Sequence, residues 1–374
     1  MKKITMLFVI AIAMIAALSL TSCSEKKAAT IKIGVAGPHS GDLASYGIPT
    51  IKAAELVVAK VNAAGGVNGS MLELVIEDDV CQPEVAANTA AKLVGDGVVA
   101  VIGHICSGAT KAALGTYLDS ELLAISPSAT NPPLTQSGDY PNFFRTIAPD
   151  DAQALVEVEF VYAQGYKKIA ILHDKGDYGK GFAEFCKSLL EADNKAEIVL
   201  YEGITPGAVD YTAIINKIAS SGADAIIFGG YHPEASKLIT QMKKKDMDLA
   251  FLSDDGVKDD TFIKVAGEYA EGVYATGPMD TTSNPLAKEA LKEHQDAYGE
   301  DPGAFFLNAY SATLALVNAI DVADSTEYAD LTKALRSNYV DTPLGSISFD
   351  EKGDAIGVGF AVYQVQNGAY VELK

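Results

Sequence analysis

The stretch IKIGVAGPHSGDLASYGIPTIKAAELVVAKVNAAGG, residues 31–66, decides the fold class. It begins with an apolar run of strand length, continues through a polar loop, and ends in a segment with helical spacing that stops at two glycines. A strand followed by a helix is half of a crossover unit, which returns the chain to the sheet as a parallel strand. The stretch therefore predicts a parallel sheet that is covered by helices on both faces.

The same alternation of strand and helix continues along most of the chain. Strand-like runs follow as LELVIEDD, VAVIGH and LLAISPS, and a second series begins after NFFRTIAPDD with KKIAILHD, AEIVLYEGI, DAIIFGG, LAFLSDD and GVYATGP. Three more helical runs occupy residues 286–298, 305–320 and 328–336, and the last segment alternates in twos around turns. The sequence predicts an α/β protein of two similar parallel-sheet lobes with antiparallel strands at its end. Periodicity alone leaves open whether the late helices complete the first lobe.

The first 22 residues are not part of this fold. Lys2 and Lys3 precede an uncharged apolar run, residues 4–20, which ends in the small-residue sequence LTSC. These features indicate an export signal, and LTSC resembles a bacterial lipoprotein box, whose cysteine becomes lipidated. We expect a signal peptide at residues 1–22, a lipid on Cys23 and a polar tether at residues 23–30. An uncleaved membrane anchor and an ordinary signal cleavage are the alternatives.

Composition and motifs narrow the class of function. The formal charge of −20 becomes −22 once Lys2 and Lys3 are removed, which argues against nucleic acid, because its binding needs clustered Lys and Arg. The sequence contains no G-x-S-x-G elbow that would select a catalytic triad. It also lacks the CxxC and HExxH spacings of zinc sites. We therefore expect a binding protein that is not an enzyme and uses no metal or cofactor.

Three cysteines remain once Cys23 is assigned to the lipid. In an exported protein a pair of them is expected to be oxidised. Cys81 and Cys106 each follow a strand-like run, and their equivalent positions at the ends of neighbouring strands favour a bridge between them. Closing a loop of about 25 residues contributes about 3 kcal/mol in the chain-entropy treatment. Cys186 lies in a segment with helical spacing and is expected to be a buried free thiol.

Eight stretches together resemble one family, the periplasmic binding proteins of branched-chain amino acid ABC transporters, of the leucine/isoleucine/valine type. They are IGVAGPHSGDLASYG, NAAGGVNG, EDDVCQP, VIGHICSGAT, SPSATNPPLT, HDKGDYGKG, GGYHPE and FDEKGD. The resemblance implies two α/β lobes joined by three crossing segments, with an amino acid enclosed between them, and it supports the Cys81–Cys106 bridge. The implied lobe boundaries are residues 31–147 plus 279–347 and residues 148–278 plus 348–374.

The resemblance also implies a set of ligand-binding residues. The carboxylate of the ligand would meet Ser107 and Thr130, and its ammonium would meet Ser128, Thr130 and Asp255. The positions that surround the ligand are Tyr46, Ile105, Cys106, Ala129, Tyr178, Tyr231 and Phe305. The physical chemistry agrees, since a zwitterion excluded from water needs donors at one end and acceptors at the other. Ser107 also precedes a helical run, whose first N–H groups favour an anion.

Two departures from the family pattern concern the choice of ligand. Asp254-Asp255-Gly256 stands where the family usually has Pro-Glu-Gly, and Ser128 stands where alanine is common. Asp255 is one methylene shorter than the glutamate of the family pattern. We therefore expect the ligand to lie closer to the second lobe or to be contacted through water. A second acid beside it favours a more polar or cationic ligand as the alternative to an aliphatic one.

The function that the resemblance implies is solute binding for transport. We expect a lipid-anchored protein, periplasmic or on the cell surface, that closes around a free amino acid, branched-chain or otherwise aliphatic. It would deliver the amino acid to an ABC permease and use no cofactor. The alternatives are the same fold binding another small amide or acid, and a sensor that reports the ligand to a signalling partner.

Overall fold

The opening stretch forms a strand and a helix, as its pattern predicts. The computed structural model describes residues 30–373, so the predicted signal peptide, Cys23 and the tether up to residue 29 lie outside the described residues. The first strand, β1, is Thr30–Gly37, and the first helix, α1, is Ala44–Ala63. The chain leaves α1 through Gly65 and Gly66, whose φ angles are 106° and 82°. Glycine adopts such positive angles without steric cost.

The first lobe is built on a five-stranded parallel sheet. Its further elements are β2 (Met71–Asp78), α2 (Pro83–Asp96), β3 (Ala100–Ile102), α3 (Ser107–Asp119), β4 (Leu123–Ser126), α4 (Pro133–Gln136) and β5 (Phe143–Arg145). The strand order is β2-β1-β3-β4-β5, and every pairing is parallel. The sequence did not indicate β5, because three residues ending in an arginine carry too little periodicity to be read as a strand.

The second lobe contains a seven-stranded sheet. Its first elements are α5 (Asp150–Gln164), β6 (Lys168–His173), α6 (Asp177–Asp193), β7 (Glu197–Gly203), α7 (Thr212–Ser221), β8 (Ala225–Gly229), α8 (His232–Lys243), β9 (Ala250–Ser253), α9 (Asp260–Ala266), a 3₁₀ turn (Gly267–Ala270) and β10 (Tyr274–Pro278). Strands β6 to β10 pair in parallel. Each strand ends at the same edge of the sheet, which is where parallel sheets place their binding sites.

The last part of the chain contributes to both lobes. It contains α10 (Pro285–Tyr298), α11 (Phe306–Ala323), α12 (Tyr328–Ser337), β11 (Val340–Thr342), β12 (Gly345–Ile347), β13 (Phe360–Gln366) and β14 (Ala369–Glu372). Leu316 of α11 and Leu331 of α12 pack in one core with Ile33 of β1, so these helices return to the first lobe. Strands β13 and β14 extend the second sheet as antiparallel strands, as predicted.

One helix among residues 30–373 has the length and composition needed to cross a membrane. It is α11, and 61% of its residues are buried against the rest of the protein. Leu316 and Ile320 lie in the first lobe's core, so its apolar character is explained by packing within the fold.

The predicted disulfide joins Cys81 and Cys106, with their Cα atoms 5.6 Å apart. One part of the reasoning for it was wrong, because the strands that precede the two cysteines are not neighbours. The sheet order places β1 between β2 and β3, so the bridge spans the end of β1. Cys186 lies buried on α6 as a free thiol, in agreement with the helical spacing around it.

Candidate functional site between the lobes

A small cavity lies between the lobes, where strands of both sheets end. It is lined by four aromatic rings, one branched aliphatic side chain, two hydroxyls, one carboxylate and a glycine: Tyr46, Phe305, Tyr178, Tyr231, Ile105, Ser107, Ser128, Asp255 and Gly256. The structure thus brings together most of the residues that the resemblance implied. Three of them, Cys106, Ala129 and Thr130, are buried next to this lining rather than part of it.

Ser107 supplies a hydroxyl at the N-terminus of α3. Its Oγ accepts a hydrogen bond from the backbone N–H of Asn131 at 3.2 Å. Because this contact uses a lone pair of the oxygen, the O–H of Ser107 remains able to donate into the cavity. The first turn of α3 adds N–H groups that have no partner within the helix. This wall of the cavity therefore suits a carboxylate.

Residues 126–131, which begin at the last residue of β4, form a ledge beside Ser107. Ser126 organises it, since its Oγ accepts the N–H groups of Ser128 (3.2 Å) and Ala129 (2.9 Å) and donates to the carbonyl of His104 (2.5 Å). The hydroxyl of Ser128 donates to the carbonyl of Ile105 at 3.0 Å. Ser128, which stands where the family commonly has alanine, therefore makes its hydroxyl hydrogen bond within the first lobe.

A buried arginine fixes the ledge from behind. Arg145 is fully buried, and its Nη1 donates to the carbonyls of Ala129 and Asn131, both at 3.1 Å. Its Nε donates to Oδ1 of Asp354 at 2.5 Å. Sequence reasoning missed Arg145, although an arginine inside the apolar run FFR is a signal, because a buried charge has to be paired.

Asp255 supplies the carboxylate of the opposite wall and is the second residue after β9. It is 1% exposed, and its Oδ1 accepts a hydrogen bond from the hydroxyl of Tyr178. Its Oδ2 has no hydrogen-bond partner among the described residues. Burial raises the pKa of Asp255 to about 6, and the hydrogen bond from Tyr178 opposes that rise. One oxygen therefore remains available for a cationic group that enters the cavity.

The neighbouring acid, Asp254, is directed away from the cavity. It is fully buried, and its Oδ2 accepts the N–H of Gly230 at 2.8 Å. Burial, together with the adjacent Asp255, raises the pKa of Asp254 well above its usual value. The doubled aspartate thus presents one carboxylate to a ligand, and this placement does not favour a cationic side chain.

Aromatic contacts connect the two walls. The hydroxyl of Tyr46, on α1, donates to the carbonyl of Gly256 in the second lobe. The Tyr46 ring lies 6.0 Å from the rings of Tyr231 and Phe305. A Cβ on Gly256 would lie 2.4 Å from the carbonyl oxygen of Gly230, so only glycine fits there. Gly256 was missing from the predicted set, although it follows Asp255 directly.

Neither His104 nor His232 lines the cavity. His104 is buried between Asp79 (2.6 Å from Nδ1) and the hydroxyl of Tyr117 (2.9 Å from Nε2). Nε2 of His232 lies 3.2 Å from Oγ of Ser45. Within residues 30–373, no group of three or more His, Cys, Asp or Glu side chains is arranged to hold a metal ion.

Comparisons with known proteins agree with this architecture. The family profile described as Periplasmic binding protein matches residues 30–369. A leucine-, isoleucine-, valine-, threonine-, and alanine-binding protein of Pseudomonas aeruginosa is 41% identical over 338 residues, which cover 90% of each chain.

Two solved structures show the same fold. A leucine binding protein from Thermotoga maritima is 25% identical with a TM-score of 0.85, and the match covers 92% of this chain and 98% of that one. A branched-chain amino acid transporter substrate binding protein from Streptococcus pneumoniae, solved with isoleucine, is 29% identical with a TM-score of 0.82 over 92% and 100% of the two chains. With two parallel-sheet lobes and matches over most of its length, the chain belongs to the periplasmic binding protein family.

Proposed function

We propose that the protein binds a free amino acid between its lobes and delivers it to an ABC permease. The observation that carries this proposal is the opposition of Ser107 and Asp255 across one cavity. Ser107 and the start of α3 offer donors to a carboxylate, and the buried Asp255 offers an acceptor to an ammonium group. A zwitterion pairs both of its charges in such a site when water is excluded.

The rest of the lining favours an aliphatic side chain. Ile105 and Phe305 offer apolar surface, and the hydroxyls of Tyr46 and Tyr178 are already bonded to Gly256 and Asp255. A side chain that reaches this surface gains by burial, and one methylene changes the preference by about 1–3 kcal/mol. The names of the Pseudomonas and Streptococcus proteins support a branched-chain or similar ligand.

We also propose the cellular setting that the sequence predicted. The mature protein is extracytoplasmic and is anchored by a lipid on Cys23. Residues 31–147 plus 279–347 and residues 148–278 plus 348–374 move as two lobes about their three connections. Closure around the ligand is the mechanism, because a ligand that contacts both lobes stabilises the closed state. Capture and release of this kind involve no bond chemistry and no cofactor.

Thermal unfolding with each of the twenty amino acids tests the proposal. The protein is first stripped of carried-over ligand by unfolding and refolding, and benzoate and urea serve as ligands of other classes. We expect leucine, isoleucine and valine to raise the unfolding midpoint, since a ligand at 100 times its Kd stabilises by about 2.7 kcal/mol. Stabilisation by benzoate or urea, with none by any amino acid, would replace this function by the alternative ligand class.

A further inference from the structure

Asn131 connects the two lobes without lining the cavity. It is the last residue of the ledge and is 7% exposed. Its side-chain Nδ2 donates to the backbone carbonyl of Asp177 at 2.6 Å. Asp177 is the first residue of α6 in the second lobe. The hydrogen bond therefore joins the ledge directly to the opposite lobe.

The backbone of Asn131 is fixed by groups of the first lobe. Its N–H donates to Oγ of Ser107, and its carbonyl accepts a hydrogen bond from Nη1 of Arg145. The serine proposed to bind the ligand carboxylate thus also positions Asn131. The backbone N–H and carbonyl of Asn131 are therefore held by the first lobe, while its side chain contacts α6 of the second lobe.

Gly181 leaves the space that the Asn131 amide occupies. It lies one turn along α6 from Asp177, and a Cβ built on it would be 2.5 Å from Nδ2 of Asn131. Apart from the chain neighbours of Gly181 and the nearby backbone of α6, the only other described atom within 4 Å of that Cβ is Cγ of the same asparagine. Alanine is otherwise preferred to glycine inside a helix. The glycine therefore has a steric role only when the lobes are together.

We propose that Asn131 is a positioning residue that stabilises the closed state, and that Gly181 is the residue that allows this contact. The inference rests on the proposed function, since it concerns closure around an amino acid. The ion pair next to it, Lys111 with Asp177, contributes little by comparison, because its side chains are 48% and 42% exposed and exposed pairs are weak.

The test compares four variants of the mature protein by leucine titration and by thermal unfolding without ligand. They are Asn131→Ala, Gly181→Ala, the double variant and Gly115→Ala. Gly115 is the matched control, because it lies inside α3 and a Cβ there meets nothing within 4 Å.

Asn131→Ala is expected to weaken leucine binding by about threefold to tenfold, the worth of one hydrogen bond. Gly181→Ala should weaken it by about tenfold or more, because the methyl group displaces the amide and obstructs closure. The double variant should bind no more weakly than Asn131→Ala, since the obstructed group is gone. Without leucine, Gly181→Ala should unfold at the same temperature as the unsubstituted protein or higher, as Gly115→Ala should.

Three outcomes would contradict the proposed roles of Asn131 and Gly181. Leucine affinity unchanged in Gly181→Ala would show that Asn131 is not at this position when the protein is closed. Losses that multiply in the double variant would show that the two sites act independently. A lowered unfolding temperature of ligand-free Gly181→Ala would show a defect within the second lobe. If the unsubstituted protein itself does not bind leucine, the proposed function is wrong, which is a different result.

Discussion

At the scale of single residues, Asp254 and Asp255 show how adjacent acids acquire different roles. The turn after β9 directs Asp254 to the N–H of Gly230, whereas Asp255 faces the cavity beside Tyr178. Both carboxyl groups are buried. The difference lies in their hydrogen-bond partners. Asp254 accepts a hydrogen bond from a backbone N–H, whereas one oxygen of Asp255 has no hydrogen-bond partner among the described residues.

The first prediction compares the two acids by matched substitutions. Asp255→Asn should weaken leucine binding by at least about tenfold, because it removes the charge that pairs with the ammonium group. Asp254→Asn should change the affinity by less than about threefold, since the amide oxygen can still accept the N–H of Gly230. Isothermal titration measures both, and equal losses in the two variants would contradict the assigned roles.

The second prediction concerns pH. Burial raises the pKa of Asp255 to about 6, and Asp150, Asp254 and Lys258 are the nearby ionisable groups. A bound ammonium group favours the ionised carboxylate, so the pKa of Asp255 is lower in the complex than in the free protein. Leucine affinity should therefore be constant between pH 7 and 8 and should fall as the pH drops below about 6, by up to about tenfold per pH unit.

Titrations in buffers with different ionisation enthalpies check the same point. Leucine binding near pH 6 should release a proton from the unsubstituted protein, since binding favours the ionised Asp255. In Asp255→Asn the release and the fall in affinity should both be reduced. A pH dependence that is unchanged in this variant would assign it to Asp150 or Asp254 instead.

At the scale of elements, Arg145 joins β5 and the ledge to a turn that lies more than two hundred residues further along the chain. It ends β5, bonds the ledge through Ala129 and Asn131, and pairs with Asp354 in the turn FDEKGD. That turn also contacts the strand, because the N–H of Arg145 donates to the carbonyl of Gly353 at 3.0 Å. The shape of the ledge thus depends on a segment that follows it by more than two hundred residues.

The third prediction follows from this buried pair. Arg145→Met should lower the free energy of unfolding by about 3–5 kcal/mol, because it removes the charged partner of Asp354 and the donors that Arg145 supplies to the ledge carbonyls. Lys292→Met is the control, since Lys292 pairs with Asp296 on the exposed face of α10, and its loss should cost less than about 0.5 kcal/mol. Urea unfolding measures both values. A loss of similar size in the two variants would show that the buried Arg145–Asp354 pair stabilises the protein no more than an exposed ion pair does.

At the scale of the whole molecule, the chain passes between the lobes three times. The connections run from β5 to α5, from β10 to α10 and from β12 to β13. The lobes also touch directly at Tyr46 with Gly256 and at Ser45 with His232. Both contacts join side chains of α1 to the second lobe, so they are formed when the cavity is closed.

The fourth prediction concerns this closed arrangement. Saturating leucine should lower the radius of gyration measured by small-angle X-ray scattering, because a ligand that binds both lobes shifts the population toward closure. Asp255→Asn at the same leucine concentration should keep a value nearer that of the ligand-free protein. A radius that is the same with and without leucine in the unsubstituted protein would show that binding does not require closure.

Local patterns in the sequence were enough to establish the fold class. The alternation of strand and helix encodes which residues are buried within each element, and it predicted both sheets and the closing antiparallel strands. The sequence resemblance indicated Ser107, Asp255, Tyr46, Tyr178, Tyr231 and Phe305, and all six line the cavity. The two cysteines of the bridge could be paired by their positions after strands, although the order of those strands could not be predicted.

Only the tertiary structure decided how distant segments meet. The return of α11 and α12 to the first lobe, the burial of Arg145 and the contact between Asn131 and α6 each join residues that are separated by long stretches of chain. Periodicity reports the environment of a residue along its own element, whereas these contacts depend on where the three crossings place the lobes. The direction of Asp254 was likewise set by the turn that brings Gly230 to it. Short-range patterns therefore determine the elements, and long-range packing determines which side chains face the ligand.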